Sequence, residues 1–262
     1  MGMPVTRAVA STARRRLLRM HHDSGVGHIG GNLSALDGLL VLFHECLGDT
    51  DKFILSKGHS AGALYIALWS SGRLDEAQLA SFHKDGTQLP GHPPIAGHKD
   101  ILFATGSLGH GLSLAAGTAF AETLRNDRLT PTPHVYCLTS DGEWQEGSTW
   151  EALIFACHHR LSNLTVLVDH NGLQGFGTTT AVASMAPLGD RLRGFGAVIS
   201  TIDGHDLDAI RSACSARVDG VHVVVMNTVK GKGVSFMENR MEWHYLPIND
   251  AQLDIALAEL AQ

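Results

Sequence analysis

The chain has 262 residues, of which 44% are hydrophobic and 18% charged. That is enough for one large α/β domain with a sizeable core, and the longest apolar runs, such as LLVLF at 39–43, fall far short of a membrane span. Twenty basic against 26 acidic side chains leave a net charge of −6, without the basic balance of a nucleic-acid-binding protein.

In chain order, helical periodicity predicts a first helix over 5–22, amphipathic and with its Arg side chains toward solvent. The same segment formally matches an acylation signal from Gly2 to Thr6 and is Arg-rich like a transit peptide, but neither pattern is specific enough to displace the helix. A helix over 34–47 precedes a β-like run, FILS at 53–56, and helices over 59–72 and 75–83 follow it. Gly, Pro and His then crowd 86–109, the composition of a long ordered loop over a site. Next come a helix at 108–125, HVYCLT at 134–139, a helix at 147–160 and LTVLVD at 164–169. AVIST at 197–201, a helix at 206–217, VHVVVMN at 221–227 and a helix at 250–261 complete the chain.

The β-like runs are nearly continuous in apolar residues, as when helices cover both faces of a parallel sheet. The fold class is therefore α/β: a doubly wound, mostly parallel sheet with helices on both faces, one domain over 1–262, and ligands outside the carboxyl ends of the strands. Cys46, Cys137, Cys157 and Cys214 are scattered without a CxxC, which reads as free thiols in a reducing, cytoplasmic setting. His21, His22, His158 and His159 fall at helix ends and read as surface residues or caps.

Asp141 ends the HVYCLT strand, and Asn171 lies thirty residues on, just beyond the LTVLVD strand. Two neighbouring parallel strands would deliver a carboxylate and an amide oxygen to one crevice. Few hard oxygen ligands, only one of them charged, suit Mg²⁺, which keeps phosphate oxygens or water in its remaining positions. Gly142 and the helix start that follows offer N–H groups to a phosphate. No GxGxxG follows the first strand, which disfavours a plain NAD-binding fold.

Asp-Gly followed about thirty residues later by Asn resembles the thiamine diphosphate motif. Eight segments in order then resemble the transketolase family over its N-terminal, thiamine diphosphate-binding half: GVGHIGGNLSALD (25–37), DKFILSKGHSAGALY (51–65), LPGHP (89–93), TGSLGHGLSLAAG (105–117), DGEWQEGSTWEAL (141–153), VDHNGLQGFGTT (168–179), IDGHD (202–206) and TVKGKGVSFMEN (228–239). The resemblance implies that Asp141, Asn171 and the main-chain carbonyl of Leu173 hold a divalent cation, Mg²⁺ or its substitutes Ca²⁺ and Mn²⁺. It implies that His59, Leu108, Gly109, Gly142 and Glu143 approach the cofactor. His28, His92 and His244 match histidines facing the hydroxyls of a ketose phosphate donor, and Glu146 matches a glutamate at the dimer interface. Histidine suits proton movement near neutral pH because its unperturbed pKa is roughly 6.5.

The family's pyrimidine-binding and C-terminal domains, with the cofactor-activating Glu and most of the sugar-phosphate site, have no counterpart in 1–262. The resemblance therefore implies a separately encoded partner subunit, an extensive apolar interface, a 2+2 assembly, and no ketol transfer by the chain alone. The expected acceptor is an aldose or a specialised molecule, such as a carrier-bound thioester or an unusual aldose of secondary metabolism. Two alternatives stand beside this: the α subunit of a two-oxoacid dehydrogenase-like thiamine enzyme, and a non-catalytic cofactor-binding subunit. Three positions depart from the family pattern: Ser140 for Gly, His110 for Gln, and Tyr245 for the Gly that usually follows His244.

Overall fold

The computed structural model describes residues 4–95, 98–125 and 132–261. Gly2, where the formal acylation match begins, lies outside them, as do residues 96 and 97 of the long loop. Thr6 caps the first helix, α1 (Arg7–Ser24), its hydroxyl accepting from the Val9 amide, and Gly25 at φ 65° closes it. Ala10, Ala13, Leu17, Leu18 and His21 form its buried stripe, at the spacing an amphipathic helix requires.

Helix α2 (Ile29–Val41) is buried at every residue, and a π turn over Leu42–Cys46 extends it. It starts before the predicted residue 34 because His28, at φ 65°, sets the break immediately ahead of it. The two glycines in its first turn sit where neighbours crowd: a Cβ on Gly30 would stand 3.1 Å from the Lys230 Cγ.

The remaining elements are β1 (Lys52–Leu55), α3 (Ala61–Ser70), α4 (Glu76–Leu79), α5 (Gly111–Leu124), β2 (Val135–Ser140), α6 (Gly147–His158), β3 (Leu164–His170), β4 (Leu173–Gln174), β5 (Gly177–Thr178), α7 (Thr179–Ala183), α8 (Leu188–Gly194), β6 (Val198–Asp203), α9 (Leu207–Ser215), β7 (His222–Asn227) and α10 (Asp250–Glu259). All the predicted strands form one parallel sheet, in the order β1-β2-β3-β7-β6. Where a helix is predicted over 75–83, only the turn capped by Asp75 forms. The β4–β5 hairpin, α7 and α8 are too short for periodicity to announce.

Side chains alternate across the sheet. Tyr136, Leu138, Leu167 and Val224 meet the layer of α1, α2, α3 and α9, whereas Val135, Cys137, Val166 and Val223 meet the layer of α5, α6 and α8. After β3 the chain leaves toward α8 on one face; after β7 it leaves toward α10, which packs on α1 behind the other. The outlets part between β3 and β7, and a ligand crevice belongs there. Cys137 and Cys214 are buried free thiols, and Cys46 and Cys157 are half-buried ones. Among the described residues no helix is long and apolar enough to cross a membrane.

His21, expected at the surface, is only 2% exposed and packs on Phe82. Burial pushes its pKa down to about 4, aided by His28 and His83 and opposed by backbone hydrogen bonds. His134 is pushed to about 4 by burial, Arg217 and His222, against Asp51. In the unfolded chain both protonate near about 6.5. Their contribution to stability is therefore complete above that pH and is lost as pH falls toward 4. The melting temperature should drop steadily from pH 7 to pH 5 in calorimetric scans, and a flat profile across that range would contradict the assignment.

Candidate active site

Ser140 on β2 pairs with Asp169 on β3, so the two strands end side by side and their next residues share the crevice. The Asp141 carboxylate accepts the N–H groups of Gly142 at 2.8 Å and Gly172 at 2.6 Å. Asn171 Oδ1 accepts from the Leu173 amide at 3.1 Å, and Lys230 Nζ lies 3.5 Å from the Leu173 carbonyl. The Asp141 carboxylate is thus held against the turn that carries Asn171 and Leu173. Asp141 is 5% exposed; burial, then the Asp169 carboxylate, push its pKa up to about 6, against the Gly172 amide, His170 and Lys57. Such a site favours a cation. The donor set is one carboxylate with two neutral oxygens, which fits Mg²⁺ or a similar hard ion. Among the described residues no group of three His, Cys, Asp or Glu side chains is arranged to hold a metal.

Beneath it lies a buried ion pair that the order of residues alone does not foretell. Lys57 and Asp169 pair at 1% and 0% exposure. Lys57 Nζ also donates to the Gly31 carbonyl at 3.2 Å, and Asp169 accepts from Ser34 Oγ at 2.6 Å, from Thr228 Oγ1 and from Asn171 Nδ2. Burial pushes the Asp169 pKa up, but Lys57 and the hydroxyl donors outweigh it and hold the pKa below the usual carboxylate range.

Glu143, expected beside the cofactor, is a strut beneath the site, with no exposed surface. One carboxylate oxygen accepts from Ser56 Oγ and the Gly109 amide; the other accepts from the Ser140 amide at 2.8 Å and lies 3.5 Å from the Ser140 hydroxyl. Glu143 therefore ties the ends of β1 and β2 to the 105–110 loop. The Ser140 hydroxyl turns to this strut, not into the crevice. Burial raises the Glu143 pKa against those donors and Lys57. Gly109 takes φ 88°, and a Cβ there would come 2.7 Å from Glu146 Cβ. Leu108 is half-buried beside it, while Glu146 and His110 are exposed on the rim.

Four histidine rings converge above the oxygen set. The His28 centroid is 5.6 Å from His59, 6.0 Å from His92 and 5.1 Å from His244, and His59 is 5.5 Å from His244. Close backbone approach makes this assembly possible. A Cβ on Gly58 would stand 2.6 Å from the Thr105 carbonyl, and one on Gly106 would stand 2.9 Å from the His92 ring. All four imidazoles are held toward the neutral form, first by burial. For His244 the Lys230 ammonium, 3.0 Å from Nδ1, adds to burial, and the pKa is pushed to about 3. Lys230 is itself lowered to about 8 by burial and Lys57, against Asp141 and Asp169. Lys57 and Lys230 both lie inside matched segments, SKGHS and TVKGKG; a lysine beside a glycine was the available signal for each.

The family model described as transketolase, thiamine diphosphate binding domain, matches residues 6–260. A 6-deoxy-6-sulfo-D-fructose transketolase subunit of a Clostridium species is 36% identical, the alignment covering 96% of this chain and 94% of that one. One of the subunits of an apulose-4-phosphate transketolase from Actinobacillus succinogenes is 34% identical over the same shares. Among solved structures, transketolase from Leishmania mexicana has a TM-score of 0.90 at 24% identity over 99% of this chain, and so shares the fold. This chain spans 42% of that protein's length.

Replacing Glu143 with Ala should remove the strut and cost about 3–5 kcal/mol, read as a fall in melting temperature on the order of 10 °C. Glu143→Gln, which keeps one acceptor oxygen, should fall between this variant and the parent in the same scan.

Proposed function

This chain belongs to the transketolase family as its thiamine diphosphate-binding domain, and we propose that it is the N-terminal subunit of a split transketolase. In this reading it moves a two-carbon ketol unit from a ketose phosphate donor to an aldehyde acceptor. The observation that carries the reading is the cluster of His28, His59, His92 and His244 above the Asp141, Asn171 and Leu173 oxygens. Two relatives aligned over nearly their whole length are named as transketolase subunits, which supports a separately encoded partner.

Thiamine diphosphate, when bound, supplies the electron sink that allows a carbon–carbon bond beside a carbonyl to break. The chain's own residues bind and orient. Asp141, Asn171 and the Leu173 carbonyl would hold Mg²⁺, or Ca²⁺ or Mn²⁺ in its place. Gly142, whose amide donates to Asp141, would lie beside the diphosphate with His59, Leu108 and Gly109, and the buried Lys230 ammonium would add positive charge there. His28, His92 and His244 hold the donor's hydroxyls. Held toward the neutral form by burial, the rings of His28 and His92 exchange hydrogen bonds with those hydroxyls, and His244, whose Nδ1 faces the Lys230 ammonium, offers its Nε2 N–H. Water is excluded when the partner covers the mouth. Apolar surface left exposed at Ile154 and Phe155 on α6, at Phe176 on the β4–β5 tip and at Leu246 supports that cover and a 2+2 assembly. Glu146, exposed on the same rim, belongs to that contact.

With the partner bound, Asp141→Ala should abolish Mg²⁺-dependent binding of thiamine diphosphate in calorimetry, whereas Ser140→Gly should leave the Kd within about twofold. Turnover by the chain alone would argue against the split. With both subunits, ketose phosphate should be consumed and pyruvate should not; failure to bind cofactor would instead favour a non-catalytic role.

A further inference from the structure

Tyr245 stands directly after His244 and is tied into the site from three sides. Its hydroxyl donates to the Gly175 carbonyl at 3.1 Å, its ring packs on His244 at 4.8 Å, and its carbonyl lies against Gly27, where a Cβ would collide with it. Gly175 is equally committed. A Cβ there would run into the Tyr245 hydroxyl and stand 3.5 Å from the His244 ring. A large residue at 245 and the smallest residue at 175 are therefore one fitted pair. The pair joins the β4–β5 hairpin, which presents the Leu173 carbonyl, to the turn presenting His244, whose carbonyl also accepts from the His28 amide at 3.2 Å.

Tyr245 is nonetheless 54% exposed, and Phe176 at the hairpin tip is 86% exposed. The tyrosine thus spans from hairpin to turn and leaves its other side exposed beside His244. A phenol and its neighbouring apolar surface give that wall bulk but no charge.

We propose that Tyr245, clasped to Gly175, is a specificity-determining residue that walls the substrate passage beside His244 and limits the size of the acceptor. This rests on the transketolase reading above. A glycine at 245 would remove this bridge to Gly175 and leave the buried Lys230, between the Leu173 carbonyl and His244 Nδ1, as the side chain joining hairpin and turn.

The test uses the complex with its partner, thiamine diphosphate and Mg²⁺, and compares the parent with Tyr245→Gly and Tyr245→Phe. Glycolaldehyde and ribose 5-phosphate serve as short and long acceptors with one donor. The ratio of kcat/KM for long over short acceptor should rise at least tenfold in Tyr245→Gly, with the Kd for thiamine diphosphate within about twofold. Tyr245→Phe, which keeps the ring, should retain most of the parent's preference. As a readout independent of turnover, diethyl pyrocarbonate should modify His244 in the isolated chain several-fold faster in Tyr245→Gly, located by peptide mass. An unchanged acceptor ratio in an active complex overturns the proposal, even if His244 labels faster. An inactive parent complex overturns the transketolase reading and the specificity role with it, whereas an unchanged labelling rate overturns the wall alone.

Discussion

The site is organised around the ion pair between Lys57 and Asp169. Two opposite charges sit at 1% and 0% exposure where the ends of β1 and β3 meet α2. Burying a charge is costly unless it is paired and its remaining hydrogen-bonding capacity is met. Here Gly31, Ser34, Asn171 and Thr228 meet it, and they come from α2, from the turn after β3 and from the exit of β7. The pair can form only when the sheet, the central helix and that exit are all in place. Its charges then reach outward. The Lys57 ammonium adds to burial in holding His28, His59 and His244 toward neutrality, and it lowers Lys230. The Asp169 carboxylate helps raise the pKa of Asp141. Structural support and the electrostatics of the site are thus one feature.

A second layer of constraint is close backbone contact. The histidines arrive on loops that lie against one another, and glycines at the contacts leave no room for a side chain. Gly58 against Thr105, Gly106 against His92 and Gly109 against Glu146 are cases where a Cβ would come within 3 Å. Glu143 then ties these loops to the strand ends with a fully engaged carboxylate. That arrangement accounts for the serine at 140. The hydroxyl has an acceptor behind it, so it neither crowds the crevice nor alters the ligand set in front of it.

Much of this is legible in the chain itself. Continuous apolar runs predict a parallel sheet covered on both faces, and the five strands lie on those runs. Asp141 and Asn171 stand out because they follow two such runs, and strand ends are where parallel sheets put ligands. The histidines at 28, 59 and 92 are each marked by a preceding glycine. Less legible are the short elements between 171 and 196, whose two to seven residues carry no periodic signal. His21 looks like a helix-end surface residue in the sequence because its burial depends on Phe82, a residue far along the chain.

The sequence by itself determined the layer architecture, the strand positions, the family and the crevice in which the chemistry-bearing residues lie, because periodicity and motif spacing are local properties that short windows record. Only the tertiary structure decided which groups pair. Lys57 meets Asp169 across 112 residues and Tyr245 meets Gly175 across 70. It also turned Glu143 from a cofactor-facing candidate into a strut, and it partly buried the histidine cluster so that its rings are held toward the neutral form. Such pairings are set by strand register and by how the loops cross, and no residue's neighbours in sequence encode them.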